Sequence, residues 1–349
     1  MTHHAQFLRR ELSTGKENEL ARRSCAGRLA KPVMYVALLL ASAATSADTL
    51  PVPTQIVDLA NKVDGVHPGY RAFHAKGVVV EGSFKASAAA AQLSRATLFN
   101  GHTIAVTARF SDGSGMPNVP DASPAMPRGI AIKYHLPGGT DTDMVTNSFK
   151  FFPVGTGEDF RDLLQAIVAS PPDAAKPTKL DQFFASHPNA PKAIGSLPIP
   201  DSFAHEEYHG IDAFIFVNKD GQRQAVRYVI APAQLVHITP EEAAKLSPDY
   251  LFDDLAKRIA QEPVVFHVKA QLAEPGDQTR DASQPWPDDR KIVDLGVLTL
   301  TKIVPDSLQV QKKLLFLPTN LTAGIELSDD PLPSVRSAAY GVSFGRRSQ

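Results

Sequence analysis

The stretch RAFHAKGVVVEGSF, residues 71–84, marks the point at which the hydrophobic pattern of the chain changes from helical to extended. Before it, QIVDLANKVDGV (55–66) carries Ile56, Leu59 and Val63 at helical spacing. From it onward, short β-branched or aromatic runs bounded by Gly, Pro, Asp or Asn follow one another as GVVVEGSF (77–84), HTIAVTARFS (102–111), RGIAIKYHL (128–136) and SFKFFPV (148–154). The sequence therefore predicts closely spaced strands in this half of the chain.

The remaining chain alternates between helical and extended patterns. Helices are predicted at EDFRDLLQAIVAS (158–170), at KLDQFFASHPNAPKAI (179–194) with breaks at proline, and at residues 240–263 with a break around Pro248. Strands are predicted at GIDAFIFVN (210–218), QAVRYVIAPAQ (224–234), VVFHVKAQLAE (264–274) and VLTLTKIV (297–304), with a turn at residues 219–221 and a loop, QTRDASQPWPDDRK (278–291), that carries Trp286. This order predicts an α+β fold, a closed antiparallel β-barrel of about eight strands with inserted and appended helices.

The amino-terminal region has the three parts of a secretory signal. Seven basic residues within the first 31 precede the apolar run PVMYVALLLASAATSA (32–47), which ends in small residues before Asp48. The run is short for a bilayer span, although a membrane anchor is the alternative. We expect a signal peptide at 1–47, one domain at 48–349, and a periplasmic protein that does not bind membranes after cleavage.

The composition narrows the possible functions further. The formal charge of the chain is -1, which gives no electrostatic footprint for nucleic acid. The single cysteine, Cys25, lies within the predicted signal, so the mature chain would have neither disulfides nor thiolate ligands. Redox chemistry would therefore need a separate carrier. The sequence is compatible with a monomer or a small homo-oligomer.

Several polar residues stand out, each with an ordinary structural explanation when taken alone. His74 is a lone histidine at the start of a strand, Ser111 a strand-end cap and Asn147 a turn residue. Near the carboxyl end, PLPSVRSAAYGVSFGRRSQ (331–349) places Arg336 one helical turn before Tyr340. The order along the chain of the sequence segments that carry these residues is more informative than any one of them.

In order along the chain, RAFHAKG, ARFS, PRGIAIKY, NSFKFF, FLPTNLTAGIE and RSAAY resemble the haem-containing catalase family over residues 55–349. Within that family the match is to the shorter, exported catalase-related peroxidases of bacteria. The resemblance implies a haem-dependent enzyme of the peroxidase class, with haem b (iron protoporphyrin IX) as cofactor. Its substrates would be hydrogen peroxide and an organic reductant, with weak catalase activity.

The resemblance also implies roles for individual residues. Tyr340 matches the tyrosine that binds the haem iron, and Arg336 matches the cation that favours its ionised form. His74 matches the distal histidine that moves a proton between the two peroxide oxygens, with Asn147 as an amide donor and Ser111 as the hydrogen-bond partner of the histidine. The remaining matches are to propionate-binding arginines and pocket aromatics: Arg71, Arg109, Arg347, Phe73, Phe152 and Phe160, with core packing as the alternative for Phe152.

Three departures from typical catalases bear on rapid dismutation rather than on haem binding. Phe73 stands where typical catalases have a small branched residue, no acidic residue precedes Pro127, and FFPVGTGEDF (151–160) replaces the usual family stretch. The alternatives left open are a true catalase, a non-catalytic haem-binding or storage protein, and an enzyme that rearranges fatty hydroperoxides. The last is disfavoured because that group has a hydroxyl residue where this chain has Phe73.

Overall fold

The structure is a computed structural model that describes residues 50–348. The predicted signal at 1–47 lies outside the described residues, so its cleavage, the periplasmic location and the domain boundary at 48 stay predictions. Sequencing the amino terminus of the exported protein, expected to begin at Asp48, would check them. Within residues 50–348, no helix combines the length and apolar content that a membrane crossing requires.

Ten strands form one sheet within the described residues. They are β1 Gly77–Ala86, β2 Thr103–Asp112, β3 Arg128–Leu136, β4 Thr140–Asn147, β5 Tyr208–His209, β6 Phe214–Val217, β7 Arg223–Pro232, β8 Val264–Leu272, β9 Ile292–Ile303 and β10 Ile325–Leu327. Eight of them pair antiparallel in the order β7-β5-β4-β3-β2-β1-β9-β8, and pairing of β8 with β7 closes the ring. The predicted closed antiparallel barrel is confirmed, with β6 and β10 added beside β7.

Helices precede, interrupt and follow these strands. They are α1 Val52–Asp64, α2 Ala88–Leu93, α3 Gly157–Val168, α4 Lys179–Ser186, α5 Asn189–Gly195, α6 Pro240–Ala243, α7 Tyr250–Gln261, α8 Ser307–Lys313 and α9 Leu332–Arg347. The predicted break around Pro248 is confirmed, because α6 ends at Ala243 and α7 begins at Tyr250. The predicted breaks at proline in 179–194 are confirmed by the gap between α4 and α5.

Aromatic and aliphatic side chains fill the interior of the barrel. The ring of Phe110 on β2 lies 5.4 Å from that of Phe203, 6.1 Å from Tyr208 and 6.2 Å from Phe266. Because side chains alternate along a strand, Arg109 and Ser111 on either side of Phe110 face outward. Helices α1, α3 and α9 pack against one another outside the barrel. The functional site therefore lies between the outer wall of the barrel and these helices, and not inside the barrel.

One predicted strand is wrong. SFKFFPV (148–154) forms bends, and the strand in this region is β4, which ends at Asn147. The Asn147 side chain accepts a hydrogen bond from the Phe149 N–H at 2.9 Å, and the Ser148 hydroxyl accepts one from the Arg128 N–H at 3.0 Å. These side-chain bonds turn the backbone out of the ladder. Phe149 is buried against Ile211 and Ala193 in a separate small core.

Candidate active site

A cavity of about 370 Å³ lies between the outer face of β2, β3 and β4 and the helices α1, α3 and α9. Every site residue selected from the sequence lines it. These residues are Arg71, Phe73, His74, Arg109, Ser111, Asn147, Phe152, Phe160, Arg336, Tyr340 and Arg347. The fold thus brings together residues from the start, the middle and the end of the described chain, although their assigned roles stay predictions.

The His74 side chain is held in one orientation on the barrel side of the cavity. Its Nδ1 lies 3.0 Å from the Ser111 hydroxyl, the contact that the sequence predicts. Gly129 on β3 makes room for the ring, since a Cβ there would lie 3.1 Å from the His74 Cε1 atom. The His74 backbone has a φ of 55°, a left-handed conformation that a non-glycine residue adopts at a cost of about 1–3 kcal/mol. Such strain is common at functional sites.

Burial keeps the His74 imidazole neutral. Loss of hydration, with smaller contributions from the positive charges of Arg109, Arg336 and Arg71, lowers the pKa of His74 to about 3. A ring nitrogen lone pair is therefore available at neutral pH. If Nδ1 carries the hydrogen and donates it to Ser111, then Nε2 is the free base.

Asn147 contributes an amide donor at the end of β4. Its Oδ1 already accepts the Phe149 N–H at 2.9 Å. Its Nδ2 makes no hydrogen bond to the described part of the protein, and the residue lines the cavity. The amide nitrogen can therefore donate to a molecule bound there.

Tyr340 lies on α9, with Arg336 one turn earlier on the same helix face. The Arg336 Nε donates a hydrogen bond to the Tyr340 Oη at 3.1 Å. Arg336 also forms a buried ion pair with Asp212, which lies just before β6. Burial disfavours the charged guanidinium, but the neighbouring Asp212 and Tyr340 oxygens outweigh it and raise the pKa of Arg336. The cation beside the Tyr340 oxygen therefore persists at any physiological pH.

Three arginines converge at another part of the cavity, and none of them has a carboxylate hydrogen-bond partner within residues 50–348. Arg71 and Arg347 both donate to the Leu314 carbonyl, at 2.8 and 2.7 Å, and Arg109 donates to the Gln311 side chain at 2.8 Å. Burial and the two other guanidinium groups lower the pKa of Arg71. Burial and Arg347 lower the pKa of Arg109 to about 9, partly opposed by Asp112.

The Arg347 Nε is buried without any hydrogen-bond partner among the described residues. Crowded, buried and partly unpaired guanidinium groups are costly unless an anion joins them. A ligand with one or more carboxylates would satisfy them. Haem carries two propionates on a flat apolar ring, so this part of the cavity fits that cofactor.

The aromatic residues selected from the sequence pack against one another at tilted angles in the same cavity. The ring centroids of Phe160 and Phe152 are 5.2 Å apart, and those of Phe160 and Phe73 are 5.9 Å apart. Phe152 also contacts Phe149, at 6.1 Å between centroids, so it takes part in core packing as well as lining the cavity. An apolar wall opposite polar groups is the surface that a porphyrin needs.

Three residues that support this site could not be selected from the sequence. Asp212 binds Arg336, Gln311 binds Arg109, and Gly129 makes room for His74. The only sequence feature that marks Asp212 is its position as a lone acid before the apolar run of β6. Gln311 had no signal, because its partner is 202 residues away in the chain.

The comparisons agree with the geometry. The family model described as Catalase matches residues 48–347. A catalase-related peroxidase of Mycolicibacterium paratuberculosis (strain ATCC BAA-968 / K-10) is 36% identical over 303 residues, 84% of this chain and 94% of that protein. A catalase-related peroxidase of Synechococcus elongatus (strain ATCC 33912 / PCC 7942 / FACHB-805) is 31% identical over 331 residues, 90% of this chain and 96% of that protein.

The structural comparison supports the same fold. The crystal structure of a fungal catalase superposes with a TM-score of 0.72 at 21% identity, covering 83% of this chain. This chain spans 62% of the length of that catalase. The chain belongs to the catalase family, and the sequence-based recognition of a catalase-related peroxidase is confirmed. The prediction of an enzyme of the peroxidase class is likewise confirmed.

Proposed function

We propose that this protein is a haem b-dependent peroxidase that reduces hydrogen peroxide with an organic electron donor and has weak catalase activity. The observation that carries this proposal is the placement of Tyr340 with Arg336, and of His74 with Ser111 and Asn147, around one cavity. Two relatives matched over nearly their full length carry the name catalase-related peroxidase. Hydrogen peroxide as the substrate follows from family membership.

Different residues of the cavity would bind the haem iron and the haem propionates. Bound haem would supply an iron that binds peroxide and takes up its oxidising equivalents. The Tyr340 oxygen would bind the iron, while Arg336, fixed by Asp212, donates a hydrogen bond to that oxygen and holds a positive charge beside it. Arg71, Arg109 and Arg347 would pair with the propionates.

Proton transfer is assigned to His74, with Ser111 and Asn147 in supporting roles. Neutral His74 can accept a peroxide proton at Nε2 and return it to the departing oxygen, which then leaves as water. Ser111 holds the ring for this transfer through its contact with Nδ1 at 3.0 Å. The Asn147 amide can donate a hydrogen bond to the peroxide without titrating.

Reconstitution with haemin tests the proposal. We expect the loaded protein to oxidise a phenolic or dye donor faster than it releases oxygen, and Tyr340→Phe to fail in haem uptake. Faster oxygen release than donor oxidation would identify a true catalase. His74→Gln should bind haem normally but react with peroxide about 10²–10⁴-fold more slowly. Unchanged reactivity of that variant would favour the non-catalytic storage protein.

A further inference from the structure

Arg227, on β7, is a buried cation outside the lining of the candidate active site. Its guanidinium donates to backbone carbonyls of the loop at 278–291, with the shortest bond to Gln284 at 2.9 Å, and lies over the Trp286 ring at 4.6 Å. Its Nε is buried with no hydrogen-bond partner within residues 50–348. All these partners are neutral, so acids that Arg227 does not bind directly must balance its charge.

Two acids balance this charge through space. Asp212 forms the buried ion pair with Arg336, and Asp330 lies just before α9, where its carboxylate accepts the Leu332 N–H at 2.8 Å. Burial lowers the pKa of Arg227 to about 10, and the negative charges of Asp330 and Asp212 oppose that shift. The Arg227 guanidinium therefore stays charged at neutral pH.

Both acids are held away from water. Asp212 is 1% exposed and Asp330 6%, and Asp212 Oδ1 and Asp330 Oδ2 are buried with no hydrogen-bond partner in the described part of the chain. Solvent screens such buried charges weakly, so they act over longer distances than surface charges do. Burial, followed by the neighbouring charge of Asp212, raises the pKa of Asp330 to about 7. Asp330 is therefore ionised at pH 8.5.

Two further acids near Arg227 have partners of their own. Asp277 forms an ion pair with Arg290 at 2.8 Å, and the Asp281 carboxylate accepts the Ser283 N–H at 2.9 Å. Four buried charges act on one another, and we call them the charge cluster: Arg227, Arg336, Asp212 and Asp330.

We propose that Arg227 is a positioning residue of the candidate active site, and that its charge, with those of Asp212 and Asp330, sets the reduction potential of the iron bound by Tyr340. The inference rests on the haem peroxidase function proposed above. The charge cluster reaches the iron ligand directly, because the Arg336 Nε donates to the Tyr340 oxygen at 3.1 Å. Ferric iron carries one more positive charge than ferrous iron. A nearby buried cation therefore favours the ferrous form, and a buried anion favours the ferric form.

Redox titration of the haem-loaded protein at pH 8.5, followed by absorbance, tests this inference. Arg227→Gln removes the cation and should shift the ferric–ferrous equilibrium about tenfold toward the ferric form, a decrease of about 59 mV in the reduction potential. Asp330→Asn removes an anion and should shift the equilibrium about tenfold the other way. In the double variant the two lost charges cancel, and the equilibrium should return to within about threefold of the wild type.

Two further variants separate charge from packing. Arg227→Lys keeps the charge but loses the planar fork toward the loop, so its equilibrium should stay within about threefold of the wild type. Arg223→Gln is the matched control on the same strand, because it removes an exposed cation, paired with Glu326 at 2.6 Å, and should change the equilibrium less than about twofold. A role in packing alone would affect Arg227→Gln and Arg227→Lys alike.

The wild-type protein tests the proposed function separately. If it does not take up haemin or does not oxidise a donor, the haem peroxidase function fails and this inference fails with it. If it does both, but Arg227→Gln and Asp330→Asn leave the potential unchanged or shift it in the same direction, Arg227 does not act on the iron through its charge. Should Arg227→Gln be too unstable to purify, the difference between the double variant and Asp330→Asn, expected to be about tenfold, measures the same contribution.

Discussion

At the scale of single residues, His74 combines a strained backbone with an imidazole kept neutral by burial. Because its pKa is lowered to about 3, the base form is present throughout the range from pH 5 to pH 8. We expect the rate constant for the peroxide reaction of the haem-loaded protein, followed by stopped-flow absorbance, to vary less than about twofold in that range and to fall only below pH 4. A decrease centred near pH 6.5, the value of an exposed histidine, would contradict this account. His74→Gln, which lacks the titrating ring, should show no such acid limb.

Asp212 shows what one buried partner contributes. Asp212→Asn leaves the buried Arg336 guanidinium without its carboxylate, so we expect the free energy of unfolding to fall by about 3 kcal/mol in urea denaturation of the haem-free protein. Glu326→Gln is the matched control. It removes the acid of an exposed pair with Arg223, at 2.6 Å, and should cost less than about 1 kcal/mol. Equal effects for the two variants would mean that burial does not set the strength of the Asp212 pair.

The residues to which the proposed function assigns the chemistry could be selected from the sequence, but their supporting partners could not. His74, Asn147 and Tyr340 belong to short ordered segments whose spacing along the chain is informative by itself. Asp212 and Arg336 are 124 residues apart in the chain and meet only in the folded structure. Contacts of this kind depend on tertiary packing, which no local pattern encodes.

At the scale of elements, the error at residues 148–154 has the same origin. The aromatic run resembles a strand, yet its rings line the active-site cavity and a small core, whereas the polar stretch TDTDMVTN forms β4. β4 is stabilised by its pairing with β3 from Gly129 to Leu136, not by an apolar face of its own. Strand propensity describes how well a residue fits a half-buried pleated surface. The aromatic run has this propensity but does not pair as a strand, and β4 pairs as a strand without having it.

The conformation of the loop at residues 278–291 depends on one side chain, that of Arg227. Arg227→Lys keeps the charge but loses the planar fork that holds three loop carbonyls and stacks on Trp286. Since Trp286 is the only tryptophan of the chain, its fluorescence reports directly on this loop. We expect acrylamide to quench the variant at least twofold more efficiently than the wild type. Arg223→Lys, an exposed position on the same strand, is the control and should leave quenching unchanged; equal quenching in Arg227→Lys would show that the loop is held without the fork.

At the scale of the whole molecule, the barrel contributes its outer surface to the candidate active site and does not enclose the site. Its interior is filled by aromatic side chains such as Phe110 and Phe266, and β2 and β4 carry Arg109, Ser111 and Asn147 of the candidate active site. Helices α1, α3 and α9 complete the pocket from outside. Strand periodicity in the sequence predicts the barrel. That the site lies on the outer face of the barrel follows only from the structure, in which Phe110 points inward and its neighbours Arg109 and Ser111 point outward.

This packing also buries Glu206 away from the lining of the candidate active site, and its burial makes stability depend on pH. Glu206 is 2% exposed, and burial raises its pKa to about 8. Between about pH 4.5 and pH 8 the folded protein keeps a proton that the unfolded chain has released. The stabilising contribution of the neutral acid is therefore complete below pH 4.5 and is lost as the pH rises through 8. We expect Glu206→Gln, which stays neutral, to gain about 2 kcal/mol relative to the wild type between pH 5 and pH 8, measured by urea unfolding at both values.

Glu262→Gln provides the comparison, because Glu262 is exposed at the end of α7 and should show the same small difference from the wild type at both pH values. Desolvation, more than any contact, raises the pKa of Glu206. Its Oε1 accepts the Glu207 N–H at 2.8 Å, a bond that favours the charged form, while Oε2 is buried with no partner among the described residues. A gain for Glu206→Gln that is equal at pH 5 and pH 8 would show that the carboxyl is hydrated in solution, and that the barrel end near β5 is more open to water than its packing indicates.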